Sequence, residues 1–280
     1  ALALLLAAVL LQSTPDPAPV PPQPFEEWRQ ALIEEARARG YSESLIREAL
    51  ANVEPLQRVI QNDRTQAELV VGFERYARSR VTPLVVRRGH DAAKQHGAVL
   101  ARVEDAYSVQ RRFVLAIWGI ETQYGRVTGN TPIFQALATL AWEPRRAEYF
   151  RGELFNALTM VSSGYADTKR MTGSWAGAMG HPQFMPSSYL KFAVDFDGDG
   201  RRDIWGSTPD MFASIANYLQ EWGWDDTFTW GREVQVTPAV RAQIEQHVPK
   251  RTEGCFAMRN MTERMPLTDW QRLGVRRTNG

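Results

Sequence analysis

Glu121 closes the run Phe113-Val-Leu-Ala-Ile-Trp-Gly-Ile-Glu121, a setting in which a carboxyl group can do chemistry. On a helix, Phe113, Ile117, Ile120, Glu121 and Tyr124 share one face by three-four spacing. That face is apolar, so a carboxylate on it is costly unless it is neutral or paired. Desolvation raises a carboxyl pKa. A carboxyl still protonated near neutral pH is what a general acid requires. Position alone leaves a second reading, a Glu paired with a neighbouring cation such as Arg126. The glycine-flexed loop that follows, Gly125 to Asn130, is of the kind that builds clefts. Further on, Gly173 to Tyr189 holds three glycines and two prolines, which forbid a simple long helix. It sets the uncharged hydrogen-bonding groups Ser174, Gln183 and Tyr189 beside apolar Met179, Phe184 and Met185. Polar groups on an apolar floor suit a hydroxyl-rich ligand.

A second constellation is Asp195-Phe-Asp197-Gly-Asp199-Gly200-Arg201-Arg-Asp203. It matches the first nine positions of an EF-hand loop, with carboxylates at one, three, five and nine and Gly at six for the sharp turn. Arg201, at position seven, would offer only its backbone carbonyl. The twelfth position is Gly206 rather than Glu, so the last ligand must come from elsewhere. Asp210, opening the next helix, could supply it. The other reading is an Asp-Gly turn without metal, but four acids this close repel one another unless a cation joins them. The predicted role of the calcium is structural, bracing the Gln183 segment.

The elements that must carry these groups are mostly helical. Apolar residues at helical spacing predict helices over 25–38, from a Ser42 cap to 50, and over 68–80, 112–124, 132–140, 145–161, 210–222 and 267–273. Thr82-Pro83 ends one helix and starts a long one through Tyr107. Strand evidence is confined to Glu233 to Val236. The expected class is therefore mainly α with a small β element. Glu143, Glu148 and Glu153 lie on a charge-rich stretch that reads as a solvated helix face.

Composition narrows the function. Lys and Arg number 33 against 32 Asp and Glu, a formal net charge of +1, which argues against a protein built to grip nucleic acid. The 4 histidines are scattered without zinc-hydrolase spacing, and the lone Cys255 excludes an internal disulfide. The 9 Trp fit aromatic-lined grooves for sugars or flat ligands, or simply a well-filled core. Residues 1–12 form an apolar segment like the core of a secretory signal peptide, too short to span a bilayer; a buried N-terminal helix is the alternative. Residues 13–24 are a Pro-rich linker. This order predicts export to the periplasm. No lipid-attachment Cys follows the apolar run, and no stable membrane insertion is expected after export.

Ile120-Glu-Thr-Gln-Tyr-Gly-Arg126, Arg145-Arg-Ala-Glu-Tyr-Phe-Arg-Gly-Glu-Leu154 and Gly177-Ala-Met-Gly-x-x-Gln-Phe-Met-Pro-Ser-Ser-Tyr189 closely resemble the membrane-bound lytic murein transglycosylase B family and its soluble members. The likeness runs from about Phe25 to the end, with His181-Pro182 in the two variable positions. It implies a lysozyme-like catalytic core, about residues 100–225, with additional α-helical segments and a small β element. It implies cleavage of the MurNAc–GlcNAc β-1,4 bond of peptidoglycan glycan strands without water, leaving 1,6-anhydro-MurNAc. Glu121 would be the sole catalytic acid and base. Tyr76, Ser174, Gln183 and Tyr218 would contact substrate, and Asp195, Asp197, Asp199, Arg201 and Asp210 would hold calcium. No organic cofactor is implied. The family pattern continues beyond Gly280, so 25–280 is expected to be a region truncated at its C-terminus.

Glycosidases ordinarily use two carboxylates, and no second acid is placed with Glu121 in the sequence. One group acting first as acid and then as base resolves this, with the substrate's own C6 hydroxyl as nucleophile. The competing readings are a muramidase that uses water and a non-catalytic peptidoglycan-binding module. A binder has no need of a buried acid.

Overall fold

The computed structural model describes residues 23–65, 73–227, 231, 233–253 and 261–278. The apolar segment 1–12, most of the linker and Cys255 lie outside the described residues. Contacts divide the chain after Asp225 into two compact units.

The first unit holds α1 (Phe25–Ala38), α2 (Glu43–Leu50), α3 (Gln57–Arg64), α4 (Phe73–Arg80), α5 (Pro83–Gln95), α6 (Gly97–Tyr107), α7 (Arg111–Thr122), α8 (Ile133–Trp142), α9 (Ala147–Ser162), α10 (Pro186–Phe192) and α11 (Thr208–Glu221). α1 buries Trp28, Leu32, Ile33 and Ala36, the stripe its spacing predicts. α2 starts where Ser42 Oγ accepts the Leu45 amide at 3.3 Å. α8 is buried on nearly every side: eight of its 10 residues are buried, Ile133, Phe134, Leu137 and Leu140 among them. It packs against α9 at the centre of one core cluster, which α1, α2 and Met179, Phe184 and Tyr189 complete. A second cluster gathers Leu100 and Val103 of α6, Val114, Leu115 and Trp118 of α7, and Met211 to Ala216 of α11.

The β content of this unit is small. β1 (Thr131–Pro132) pairs antiparallel with β2 (Thr172–Gly173), Thr131 opposite Gly173. Single bridges then join Gly173 to Met179 and Met179 to Phe184. The glycine-rich segment is thus folded back on itself rather than spread as a loop. The second unit holds β3 (Val234–Gln235) paired with β4 (Arg276–Arg277), and α12 (Pro238–His247) and α13 (Leu267–Arg272).

Three sequence expectations are corrected. The long helix from Pro83 to Tyr107 is two helices, broken at His96, whose φ of −109° and ψ of 16° leave the helical region. Helices at 57–64, 186–192 and 238–247 were not predicted; each is short, and the last two begin with Pro, which reads as a breaker but suits the first helical turn. Glu143 and Glu153 are buried, and only Glu148 faces solvent. Glu143 Oε2 accepts the Arg145 amide at 2.9 Å, and its Oε1 pairs with Arg64 at 2.9 Å. Glu153 crosses from α9 to the start of α10, accepting from the Ser187 amide at 2.9 Å and the Ser187 hydroxyl at 2.6 Å. A carboxylate at a helix N-terminus satisfies donors that the helix itself cannot.

Removing that carboxylate leaves the half-buried Ser187 amide without its acceptor. Glu153→Ala is therefore expected to destabilise the first unit by about 2 kcal/mol, read as a lower thermal midpoint, with Glu153→Gln losing less. An unchanged midpoint in the alanine variant would show that α10 needs no such anchor.

Candidate active site

α7 buries Val114, Leu115, Trp118, Gly119 and Thr122. The buried stripe is therefore offset from the one the sequence suggested. Phe113 and Ile117 are half-buried, Ile120 is 43% exposed, and Glu121 is exposed. The expectation of a buried Glu121 is corrected: its side chain is open to water. Burial by surrounding protein atoms nevertheless pushes its carboxyl above the ordinary value, while the charge of Arg80 pulls it down. Solvent reaches the group while nearby protein atoms still displace part of its water. Arg80, at the end of α4, is the cation that acts on Glu121, not Arg126. Among the described residues no second carboxylate contributes to its shift.

The chain leaves α7 through an unusual cap. Gln123, Tyr124 and Gly125 all have positive φ, 51°, 62° and 79°. Two such residues in a row that are not glycine cost energy and need support from packing. Tyr124 obtains it from α5 and α7. Its ring meets Trp118 edge-on at 5.3 Å. Its hydroxyl end fills the space where side chains at Gly89 and Gly119 would begin, and a Cβ at Gly119 would stand 2.6 Å from the oxygen. Gly125 likewise faces the His181 ring with no room for a Cβ.

His181 is the other half of this arrangement. Its Nδ1 accepts from Trp118 Nε1 at 2.9 Å, and its backbone carbonyl accepts from Thr122 Oγ1 at 3.1 Å. Thr122 Oγ1 also accepts the Gly125 amide at 3.1 Å, and the His181 amide donates to Ile204 O at 3.0 Å. Trp118 belongs to the second core cluster, whereas Met179 and Phe184, on either side of His181, belong to the first. The clasp thus joins two cores one turn from Glu121. Burial pushes the His181 pKa down; the Trp205 backbone carbonyl and Asp203 pull it up. An Nδ1 that accepts is an unprotonated Nδ1, so the clasp holds the neutral ring.

The candidate substrate residues fare differently. Ser174 Oγ accepts the Ala176 and Ala178 amides at 3.3 and 3.1 Å, closing the turn after β2. Gln183, with φ of 53°, gives its amide hydrogens to Thr128 O at 3.1 Å and Gly180 O at 2.9 Å. It ties the loop after Glu121 to the glycine-rich segment. Tyr218 is half-buried against Phe192 and Phe184, ring centroids 4.8 and 5.7 Å away. Tyr76 lies in α4, but its side chain is outside the described residues. Tyr189, grouped in the sequence with Ser174 and Gln183, is fully buried, and its hydroxyl donates to Arg202 O at 2.9 Å. It is a core residue. No spacing or motif pointed to Arg80, and His181 read only as an isolated histidine before a proline.

The acidic loop is assembled as its spacing predicts. One oxygen from each of Asp195, Asp197, Asp199 and Asp210 lies within 4.8 Å of the others. Calcium holds oxygens at about 2.3–2.6 Å, so opposite ligands stand about 5 Å apart. The donor set fits that ion in kind and in span. Asp195 accepts the Gly198 and Gly200 amides at 2.7 and 2.8 Å, and both glycines have positive φ. Asp210 is fully buried at the start of α11 and accepts amides of Phe196, Asp197 and Asp203. Burial pushes its carboxyl up, against those hydrogen bonds. Asp203, at position nine, is not in the cluster. It turns to accept the Trp205 and Gly206 amides at 2.9 and 2.8 Å.

Known proteins place this geometry. Residues 24–280 match the family model for the transglycosylase SLT domain. The chain is 37% identical over 206 residues to the membrane-bound lytic murein transglycosylase B of Escherichia coli (strain K12), covering 70% of this chain and 57% of that protein. It spans little more than half the length of that relative. Among solved structures it is similar to SltB3 from Pseudomonas aeruginosa in complex with NAG-anhNAM-pentapeptide, at 39% identity and a TM-score of 0.80, over 92% of this chain and 65% of that one. It is similar also to the Escherichia coli lytic transglycosylase Slt35 in complex with calcium, at 32% identity and a TM-score of 0.72, over 89% and 75% of the two chains. The mainly α fold, with its few short strands, is that of the lysozyme-like lytic transglycosylases, and the chain belongs to the transglycosylase SLT domain family.

Proposed function

We propose that this chain is the catalytic region of a peptidoglycan lytic transglycosylase, with its chemistry in the first unit. It cleaves the β-1,4 bond between MurNAc and GlcNAc and closes a 1,6-anhydro ring on the MurNAc. The observation that carries this reading is Glu121, a solvent-reachable carboxyl that burial pushes above the ordinary value and that has no second described carboxylate acting on it. The likeness to a relative bound to NAG-anhNAM-pentapeptide supports it, since that ligand carries an anhydro sugar.

The reaction balances on one group. Glu121 gives its proton to the glycosidic oxygen, and the bond from that oxygen to C1 of MurNAc breaks. The charge that develops at C1 is shared with the substrate's N-acetyl oxygen. The C6 hydroxyl oxygen then bonds to C1, and its proton returns to Glu121. No water is consumed, and the acid is regenerated. Holding the C6 hydroxyl within the same molecule favours ring closure. Ser174 keeps its hydroxyl hydrogen and Gln183 its amide oxygen, neither used within the described residues. These would meet the hydroxyl and N-acetyl groups of the glycan, with Tyr76 and Tyr218 along the groove. Such a substrate would put the enzyme's site of action in the periplasm. No helix among the described residues is long and apolar enough to cross a membrane.

The acidic loop we read as a structural calcium site, held by Asp195, Asp197, Asp199 and Asp210 with the Arg201 carbonyl. The likeness to a relative in complex with calcium supports it. Calcium there would neutralise the clustered carboxylates and fix the loop.

Digestion of purified sacculi, with mass analysis of the released fragments, tests the reaction. The expected products are lighter by one water than hydrolytic ones. Glu121→Gln is expected to lower release by about 10²- to 10⁴-fold. Its melting temperature at pH 7 should equal or exceed the parent's. A raised folded pKa means that the ionised form is disfavoured by folding, so the parent loses stability as pH rises through that value. Products with reducing ends, or full activity in the variant, would remove the proposal.

His181 has the opposite sign. Its folded pKa is depressed, so its stabilising neutral form is complete above the ordinary histidine value of about 6.5 and is lost as pH falls through the depressed one. Between pH 7 and 5 the parent should lose more thermal stability than His181→Asn, by differential scanning calorimetry. Parallel curves would exclude the clasp as a source of that loss.

Calcium should raise the melting temperature and a chelator lower it, and Asp199→Asn should shrink both shifts. No response to either reagent would leave the loop as a metal-free turn.

A further inference from the structure

A concavity of about 350 Å³ lies outside the Glu121 site, between the turn after α9 and the second half of the acidic loop. Its walls include Arg170, Arg201, Arg202, Tyr165, Trp205 and Asp203. Three arginines line it against two carboxylates, Asp167 and Asp203, so positive charge is in excess. The Arg202 guanidinium lies over the Tyr165 ring, 4.9 Å from its centroid, and neither Arg201 nor Arg202 has a carboxylate partner among the described residues. Arg170 forms a loose ion pair with Asp203 Oδ2 at 3.6 Å, too long for a hydrogen bond, and Asp203 Oδ1 is taken by the Trp205 and Gly206 amides. The Trp205 indole N–H is buried with no acceptor. Guanidinium and indole groups donate and do not accept. A ligand that fits must therefore bring acceptors and negative charge, and two aromatic faces offer its carbon skeleton a wall.

We propose that this concavity binds the free carboxylates of a peptide, namely the peptide carried by the murein strand on which the enzyme acts. The proposal rests on the function argued above for the choice of polymer. The amino sugars of that polymer are uncharged once their lactyl group is joined to peptide, so the peptide is where its negative charge resides. Arginine pairs with carboxylates through two parallel hydrogen bonds and gives geometric selectivity as well as charge. The volume, within the range of small-ligand sites, suits the end of a short peptide rather than a sugar chain.

Isothermal titration calorimetry of the full chain tests this with three probes: a synthetic stem tetrapeptide with free carboxylates, the same peptide with its carboxylates amidated, and inorganic phosphate. The free peptide should bind, more weakly at high salt, and the amidated one at least roughly tenfold more weakly. The Arg170→Gln/Arg202→Gln variant should lose the free peptide by a similar factor. It should also cleave stem-bearing murein with a raised KM, while its action on glycan strands stripped of peptide stays at the parent level. Equal affinity for the two peptides, in the parent protein and without any variant, would overturn the proposal. So would phosphate binding in the absence of peptide binding, which would make this a phosphate site. Peptide binding is read without turnover, so a protein that binds the peptide but cuts no glycan refutes the lyase reading and leaves this one standing.

Discussion

Trp118, Thr122 and His181 are tied by two hydrogen bonds, and the position of Glu121 depends on that knot. A helix end is the weakest part of a helix, because its last carbonyls have no partner within it. Here the end is also the place where the candidate proton donor sits, followed by three residues with positive φ. Left to itself such a segment would fray. The histidine, the ring of Tyr124 and the glycines at 89, 119 and 125 leave it one packed arrangement. The same histidine joins the two apolar clusters of the first unit, so the support reaches both cores.

Exposure and a raised carboxyl pKa are often treated as opposites. At Glu121 they coexist, and a polymer-cleaving acid needs both. A deeply buried carboxyl would hold its proton but could not meet a glycosidic oxygen. A freely solvated one would meet it already ionised. Ile120, next to Glu121 in the chain, and Val127, in the loop that follows, are 43% and 58% exposed and would lose water if a sugar chain covered them. Arg80 limits how far the shift can go and would favour the ionised form that must reclaim a proton.

Other carboxylates in the unit serve as structural joints. Glu153 binds α9 to the start of α10, and Asp63, almost wholly buried, holds both Arg145 and Arg146. Asp210 gathers three amides of the acidic loop into the base of α11. In each case a buried charge is matched by donors fixed by the backbone or by arginine, which is the condition under which burial is tolerated.

The sequence by itself determined the helical class, most helix positions, the cap at Ser42, the helix start at Thr82-Pro83 and the four carboxylates that gather in the acidic loop, and it singled out Glu121 as the candidate. These follow from spacing along one element or within one short loop, where three-four periodicity and turn chemistry act over a few residues. The tertiary structure alone decided which face of α7 is buried, because Val114, Leu115 and Trp118 meet α6 and α11, partners that no periodicity names. It decided that Glu143 and Glu153 are inside and Tyr189 is core, since each answers to a donor or acceptor more than ten residues away or on another element. It also brought the charge of Arg80 within range of Glu121, 41 residues on, and His181 into contact with Trp118, 63 residues before it. The shift in a carboxyl pKa depends on the sum of such neighbours, and a linear order of residues does not contain that sum.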